Sequence, residues 1–205
     1  ADASTAEERT ILYWTDRNRE RQRVRGGSNL AACLEAAKPY LDSHRQADPY
    51  RNCRKKFVIL VTDGHDTLAC GGTGDGSRPD QYKRRRASVA KVKALWDAGY
   101  RVFVIGLGDG MPAYVRNTLN WMAFYGGTEN PSAVRRGDPQ ALRIDQITDE
   151  PCAESATTGS CSGASELCFA SVNDPGALEL DGYAFLSAKG EPFEAALRAA
   201  MSSIR

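Results

Sequence analysis

No stretch of this 205-residue chain approaches the roughly 18 consecutive apolar residues of a membrane span, so no transmembrane helix is expected. Its start, Ala1-Asp2-Ala3-Ser4, has no secretion-signal pattern and reads either as a mature end or as a cut inside a longer protein. Histidine is scarce, with only His44 and His65, and no cysteine pair has CxxC or CxxCH spacing. That argues against a zinc site and against haem attachment. The glycine-rich stretch 71–76 lacks the Lys-Ser/Thr that completes a phosphate loop, which argues against nucleotide binding. No serine or cysteine sits in a nucleophile elbow, so Asp63-Gly64-His65-Asp66 offers only a remote Asp-His hydrolase reading. The net charge of +1 gives no overall field toward nucleic acid. Two local basic clusters, Arg17 to Arg25 and Lys83-Arg84-Arg85-Arg86, are not interleaved with aromatics and read as solvated surface. There is no internal repeat.

What is present is a chain organised around Phe57-Val58-Ile59-Leu60-Val61-Thr62-Asp63-Gly64. A short, β-branched apolar run ended by Asp-Gly reads as a strand buried on both faces. Asp63 then stands at the carboxyl end of a strand, where open parallel sheets bind ligands, although Asp-Gly is also a common turn pair. Upstream, Gly26-Gly27-Ser28-Asn29-Leu30 forms a turn in which Ser28 or Asn29 caps a helix. That helix carries Leu30, Cys33, Leu34, Ala37 and Leu41 at helical spacing and ends near Leu41, with Pro39 weakening its last turn. Residues 43–56 read as a polar loop, and residues 64–79 as a long glycine-rich loop. Asp80 to Ala98 reads as a helix stopped by Gly99, and Tyr100 to Gly108 as a second buried strand. Strand, helix, glycine, strand is the right-handed parallel crossover. Tyr114 to Phe124 is a further helix and Tyr183 to Leu186 a short last strand. A closing helix, Glu191 to Ile204, carries Phe193, Ala196, Leu197, Ala200, Met201 and Ile204 on one stripe. Residues 1–25 form an N-terminal segment and residues 131–176 a cysteine-bearing insertion within one domain, 1–205.

The six cysteines read as disulfides of an exported protein, with free thiols in a cytosolic one as the alternative. Cys33, Cys53 and Cys70 lie in the first half and Cys152, Cys161 and Cys168 in the last third, so full pairing requires at least one bridge between the two regions. Trp14, Trp96 and Trp121 read as core or interface. Asp66, Asp75 and Asp80 offer an alternative Ca²⁺ site in the glycine-rich loop.

Four segments in order, Gly26 to Leu30, Phe57 to Gly64, Val102 to Asp109 and Leu119 to Gly127, resemble the von Willebrand factor A domain family. Its members carry a GGTxL turn, a strand ending in TDG, a strand ending in IGxG and a late L…GG segment. The resemblance covers residues 24–130 and resumes over 183–204. It implies an α/β, doubly wound, mostly parallel sheet with helices on both faces. Leu119-Asn120-Trp121-Met122-Ala123-Phe124-Tyr125-Gly126-Gly127-Thr128-Glu129-Asn130-Pro131 and the insertion are most similar to the A-type domain of PilY-like type IV pilus tip adhesins.

The resemblance implies a metal-ion-dependent adhesion site holding Mg²⁺ or Ca²⁺. Ser28 stands at the hydroxyl position and Asp63 at the loop carboxylate. The family's Asp-x-Ser-x-Ser, at the end of the first strand, is absent, since Asp2-Ala3-Ser4-Thr5-Ala6 is only a shadow of it and Asp75 to Pro79 fails too. The chain thus lacks the first strand. Either a partner chain supplies it, this chain being one product of a cleaved or split protein, or the domain is degenerate and metal-free. The expected function is a non-enzymatic, extracellular adhesion or ligand-binding module at a pilus tip or cell surface. Its partners would be a protein ligand or host receptor bearing an acidic group, with pilus subunits as further partners and no nucleic acid. The alternative is a metal-free structural subunit of an extracellular assembly, completed by a partner chain.

Overall fold

The computed structural model describes residues 27–73, 81–108, 110–147, 151–153, 173–187 and 193–204. The expectations for residues 1–25, Asp75, Asp80, Asp109, Cys161 and Cys168 lie outside the described residues. Helix α1 (Leu30–Ala47) leads to strand β1 (Phe57–Thr62), α2 (Gln81–Asp97), β2 (Arg101–Leu107) and α3 (Ala113–Tyr125). A two-residue antiparallel pair follows, β3 (Arg136–Gly137) with β4 (Leu180–Asp181), then β5 (Phe185–Ser187) and α4 (Phe193–Ser202). The main sheet is parallel, in the order β1-β2-β5. β1 and β2 pair from Phe57↔Arg101 to Thr62↔Gly106, and β5 joins the carboxyl half of β2 at Ile105↔Phe185. This is a mixed α/β fold with a parallel three-stranded sheet flanked by helices, and β1 and β2 are parallel neighbours joined through α2.

The alternation of side chains along a strand sorts the core into two layers. Val58, Leu60, Val102 and Val104 face α1, α2 and α3, meeting Leu34, Val92, Leu119 and Trp121. Phe57, Ile59, Phe103, Ile105 and Phe185 face the other way, onto Ala196, Leu197, Ala200 and Ile204 of α4 and its end. β2 is the strand buried on both sides; full burial of Val102, Val104 and Ile105 contributes about 1.5–3 kcal/mol each. β1 departs from expectation. Residues 57–60 are half-buried and Val61 is 41% exposed, because among the described residues β1 pairs only with β2 and forms an edge. On α4, Met201 lies exposed at the margin of its stripe rather than in the core.

Gly99 ends α2 by a hydrogen-bonded reversal. Its N–H donates to the Trp96 carbonyl and the Tyr100 N–H to the Leu95 carbonyl, with Gly99 at φ +91°. α1 does not stop near Leu41 but continues through Pro39 to Ala47. Proline forfeits one backbone bond there, and tertiary ties hold the turns that follow. The Tyr100 hydroxyl donates to Asp42 Oδ1 at 2.6 Å, Lys38 Nζ donates to Asp42 Oδ2 at 2.7 Å, and Arg45 Nη1 donates to the Ala98 carbonyl at 3.0 Å.

The run Lys83-Arg84-Arg85-Arg86 is buried, not solvated. Arg85 forks onto Asp174, Nε to Oδ1 at 2.9 Å and Nη2 to Oδ2 at 2.6 Å, with both side chains at 0% exposure. Arg84 Nε donates to the Ala69 carbonyl and Arg86 Nη2 to the Gln146 carbonyl. Guanidinium groups enter a protein interior only when such partners satisfy them. The disulfide Cys70–Cys152 joins the first half to the last third, as the cysteine count requires of full pairing, whereas Cys33 and Cys53 are exposed free thiols. The insertion also reaches the core: Leu142 and Ile147 are buried with the α1–α3 layer, and the Tyr125 hydroxyl donates to the Leu142 carbonyl.

Candidate functional site

The loop that follows the carboxyl end of β1 is stitched to the turn that opens α1. The Thr67 N–H donates to the Ser28 carbonyl at 2.8 Å, and the Ser28 N–H donates to Thr67 Oγ1 at 2.8 Å. Gly27 leaves room for Leu68, whose side chain would stand 2.9 Å from an added Cβ. Neither Ser28 nor Asn29 caps α1 as expected; Asn29 occupies the cap position without a side-chain bond. The cap comes from Asp66, which lies 35 residues away in sequence and accepts the Ala31 N–H on Oδ2 at 2.7 Å. Its Oδ1 accepts the Leu68 and Ala69 N–H groups at 2.9 and 2.7 Å, and its side chain is wholly buried. A carboxylate on the first-turn N–H groups satisfies orphan donors and opposes the positive end of the helix dipole.

Asp63 is the outward carboxylate of the same stretch. It is exposed, and its side chain makes no hydrogen bond or ion pair among the described residues. Thr62 is buried; its hydroxyl donates to the Gly64 carbonyl at 2.9 Å and accepts the Gly64 N–H at 3.2 Å, fixing the bend from which Asp63 projects. The Ser28 hydroxyl makes no bond among the described residues. The structure thus sets Ser28 and Asp63 on two loops tied together at one edge of the sheet. His65 packs its ring edge-on against Tyr114 at 5.2 Å.

The donors Ser28 and Asp63 are hard oxygens, the type that Mg²⁺ accepts while keeping most of its water shell. Among the described residues no group of three or more His, Cys, Asp or Glu side chains converges, so an all-protein cage is not formed there. Asp66 suits the alternative Ca²⁺ site poorly, because three N–H groups already occupy its oxygens. Sequence reading missed its capping role, and the only hint was an Asp-x-x-Asp spacing that leaves open which acid turns inward.

The Leu119 to Pro131 segment has a structural explanation. Asn120 is buried; its Oδ1 accepts the Tyr183 and Ala184 N–H groups at 2.9 Å each, and its Nδ2 donates to the Arg116 carbonyl. Trp121 Nε1 donates to the Leu178 carbonyl, and Thr128 Oγ1 to that of Val102. These bonds aim the chain into β5. Gly127, at φ +69°, leaves room for the Trp96 ring, which would stand 2.3 Å from an added Cβ. No family model, curated protein or solved structure matches this chain.

Proposed function

We propose that the chain is a von Willebrand factor A-like binding module of an exported protein, of the kind found at type IV pilus tips and cell surfaces. Its carboxyl sheet edge would engage an acidic group of a protein ligand through a divalent cation. The observation that carries this reading is the division between the two aspartates of the β1 loop: Asp66 is consumed in holding the loop to α1, and Asp63 is left exposed on that loop, which Thr67 ties to the Ser28 turn. The Ser28 hydroxyl and the Asp63 carboxylate would hold the ion, directly or through water. The bound ion would supply a positive charge with coordination positions open to a carboxylate from outside. The Cys70–Cys152 bridge supports an oxidising, extracellular setting.

A second reading, a metal-free structural subunit completed by another segment or chain, is favoured by β1 pairing with β2 alone among the described residues. An unpaired strand edge offers a row of backbone donors and acceptors to a further strand. Calorimetric titration with Mg²⁺ and Ca²⁺ separates the two. The adhesive reading expects saturable binding, abolished by EDTA, that D63A and S28A each weaken while the melting temperature of the apo protein stays unchanged. Absence of binding by the wild-type protein, or binding indifferent to D63A, would overturn it and leave the structural reading.

A further inference from the structure

At the amino ends of the strands, opposite the edge that carries Asp63, a cavity of about 560 Å³ opens between the 51–57 segment, the end of α2 and the start of β2. Six cations line it: Arg45, Arg51, Arg54, Lys55, Lys56 and Arg101. Among the described residues no carboxylate does. Acids around it are engaged: Asp48 by Lys56 at 2.7 Å, by the Tyr50 N–H and at 3.9 Å by Arg54, Asp42 by Lys38 and the Tyr100 hydroxyl, and Asp97 by Lys93. The carbonyl end of α2, which would otherwise bring negative potential to the rim, is met by Arg45 on the Ala98 carbonyl. Arg51 and Arg101 are exposed and have no carboxylate partner among the described residues. The apolar wall is aromatic, formed by Phe57, Phe103 and Trp96, the last 39% exposed although it is a large indole. A second cavity shares Arg101 and Phe103 and runs past Thr128 to Glu129, a carboxylate that Arg135 pairs.

Concave volume on this scale suits a small ligand. Arginines outnumber lysines four to two in the lining, and guanidinium forks match tetrahedral oxyanions in pairs. A near-neutral protein that gathers six cations in one cavity, with no acid in the described lining, concentrates its field at one spot. The geometry points to a binding site for a small polyanion carrying clustered phosphate or sulfate groups, seated against Trp96 and held by Arg51 and Arg101. The site is independent of the proposed cation at the opposite edge.

Tripolyphosphate and a fully sulfated disaccharide serve as probes, each titrated calorimetrically into the full chain at low and at elevated salt. The expected result is saturable one-to-one binding of at least one probe that weakens with salt. It should weaken by at least about tenfold in R51E/R101E, the scale of one lost charge-assisted hydrogen bond, and remain unchanged in an R116E/R198E control of equal net charge. Tighter binding of one probe identifies phosphate or sulfate as the natural group. Should the double variant fail to fold, R51A, at an exposed loop position, gives the same comparison. Non-saturable binding, no binding of either probe, or equal loss in the control overturns the proposal.

Discussion

Asp66→Ala removes an acceptor from three N–H groups at once, and the structure indicates what each loses. The Ala31 N–H is inside, in a buried residue of the first turn of α1, and meets Asp66 Oδ2 at 2.7 Å. Leaving a buried donor without an acceptor costs about 1–3 kcal/mol. The lost interaction with the helix dipole in a buried setting adds up to about 2 kcal/mol. The Leu68 and Ala69 N–H groups lie at a more exposed position and recover water when the carboxylate is gone, so their loss is smaller. The expected total is about 3–4 kcal/mol, a large share of the roughly 5–15 kcal/mol that holds a domain together. Asp66→Asn keeps the shape and one acceptor oxygen and should lose about half as much. Asp63→Ala, at an exposed position without bonds among the described residues, should stay within about 0.5 kcal/mol of wild type. Urea unfolding followed by circular dichroism measures all three. A loss below about 1 kcal/mol for D66A, on the scale of an ordinary surface hydrogen bond, would refute the assignment of Asp66 as the joint between the β1 loop and α1.

Opening the Cys70–Cys152 bridge frees a loop of 82 residues, for which the loop-closure relation gives up to about 4.5 kcal/mol. C70S/C152S and dithiothreitol-treated wild type should therefore unfold at similarly lowered urea midpoints, and a midpoint equal to that of the oxidised protein would show that the bridge does not constrain the unfolded chain. Asn120→Ala strands the Tyr183 and Ala184 N–H groups in the interior and should cost about 2–4 kcal/mol in the same assay; a near-neutral result would mean that β5 is positioned without it. The Lys56 ammonium and the Tyr50 N–H hold the Asp48 carboxyl below the usual carboxylate range, and Lys38 and the Tyr100 hydroxyl do the same for Asp42. A depressed folded pKa contributes stability that is present above the unfolded value, near about 4, and is lost as pH falls through the folded value. D42N/D48N should thus show a shallower decline of Tm below about pH 4 than wild type, and identical acid limbs by scanning calorimetry would remove these pairs from the account.

The elements most legible in the sequence were those whose signals are local. Val102 to Ile105 form an apolar run long enough for a buried strand, and Gly99 marks the reversal that ends α2 whatever lies beyond it. Features that depend on distant residues were not legible. α1 survives Pro39 because Tyr100 and Arg45 tie its second half to the end of α2, contacts spanning 58 and 53 residues. β1 has the composition of an interior strand, but its burial is set by which strands flank it, and the described sheet supplies only β2. Lys83 to Arg86 reads as surface by charge alone. The burial of Arg85 depends on Asp174, 89 residues downstream, in a stretch without periodicity that gives no sign of supplying a counter-ion, and Arg84 and Arg86 rest on the Ala69 and Gln146 carbonyls.

The candidate edge shows the same limit at shorter range. The turn at Gly27 and the strand end at Asp63 are local patterns, and their shared edge follows from a parallel sheet. Which of two aspartates in Asp63-Gly64-His65-Asp66 turns inward is not a local property, because both are acids in a polar loop. The inward choice is set by the N-terminus of α1, whose unpaired N–H groups need an acceptor that Asn29 does not supply. Once Asp66 fills that need, the rigidity it gives the loop and the freedom it leaves to Asp63 are consequences of one arrangement. Stability and ligand binding at this edge should therefore separate by residue, the first lost in D66A and the second in D63A. A D63A protein as unstable as D66A would show that the two carboxylates share one structural task and that neither is kept for a ligand.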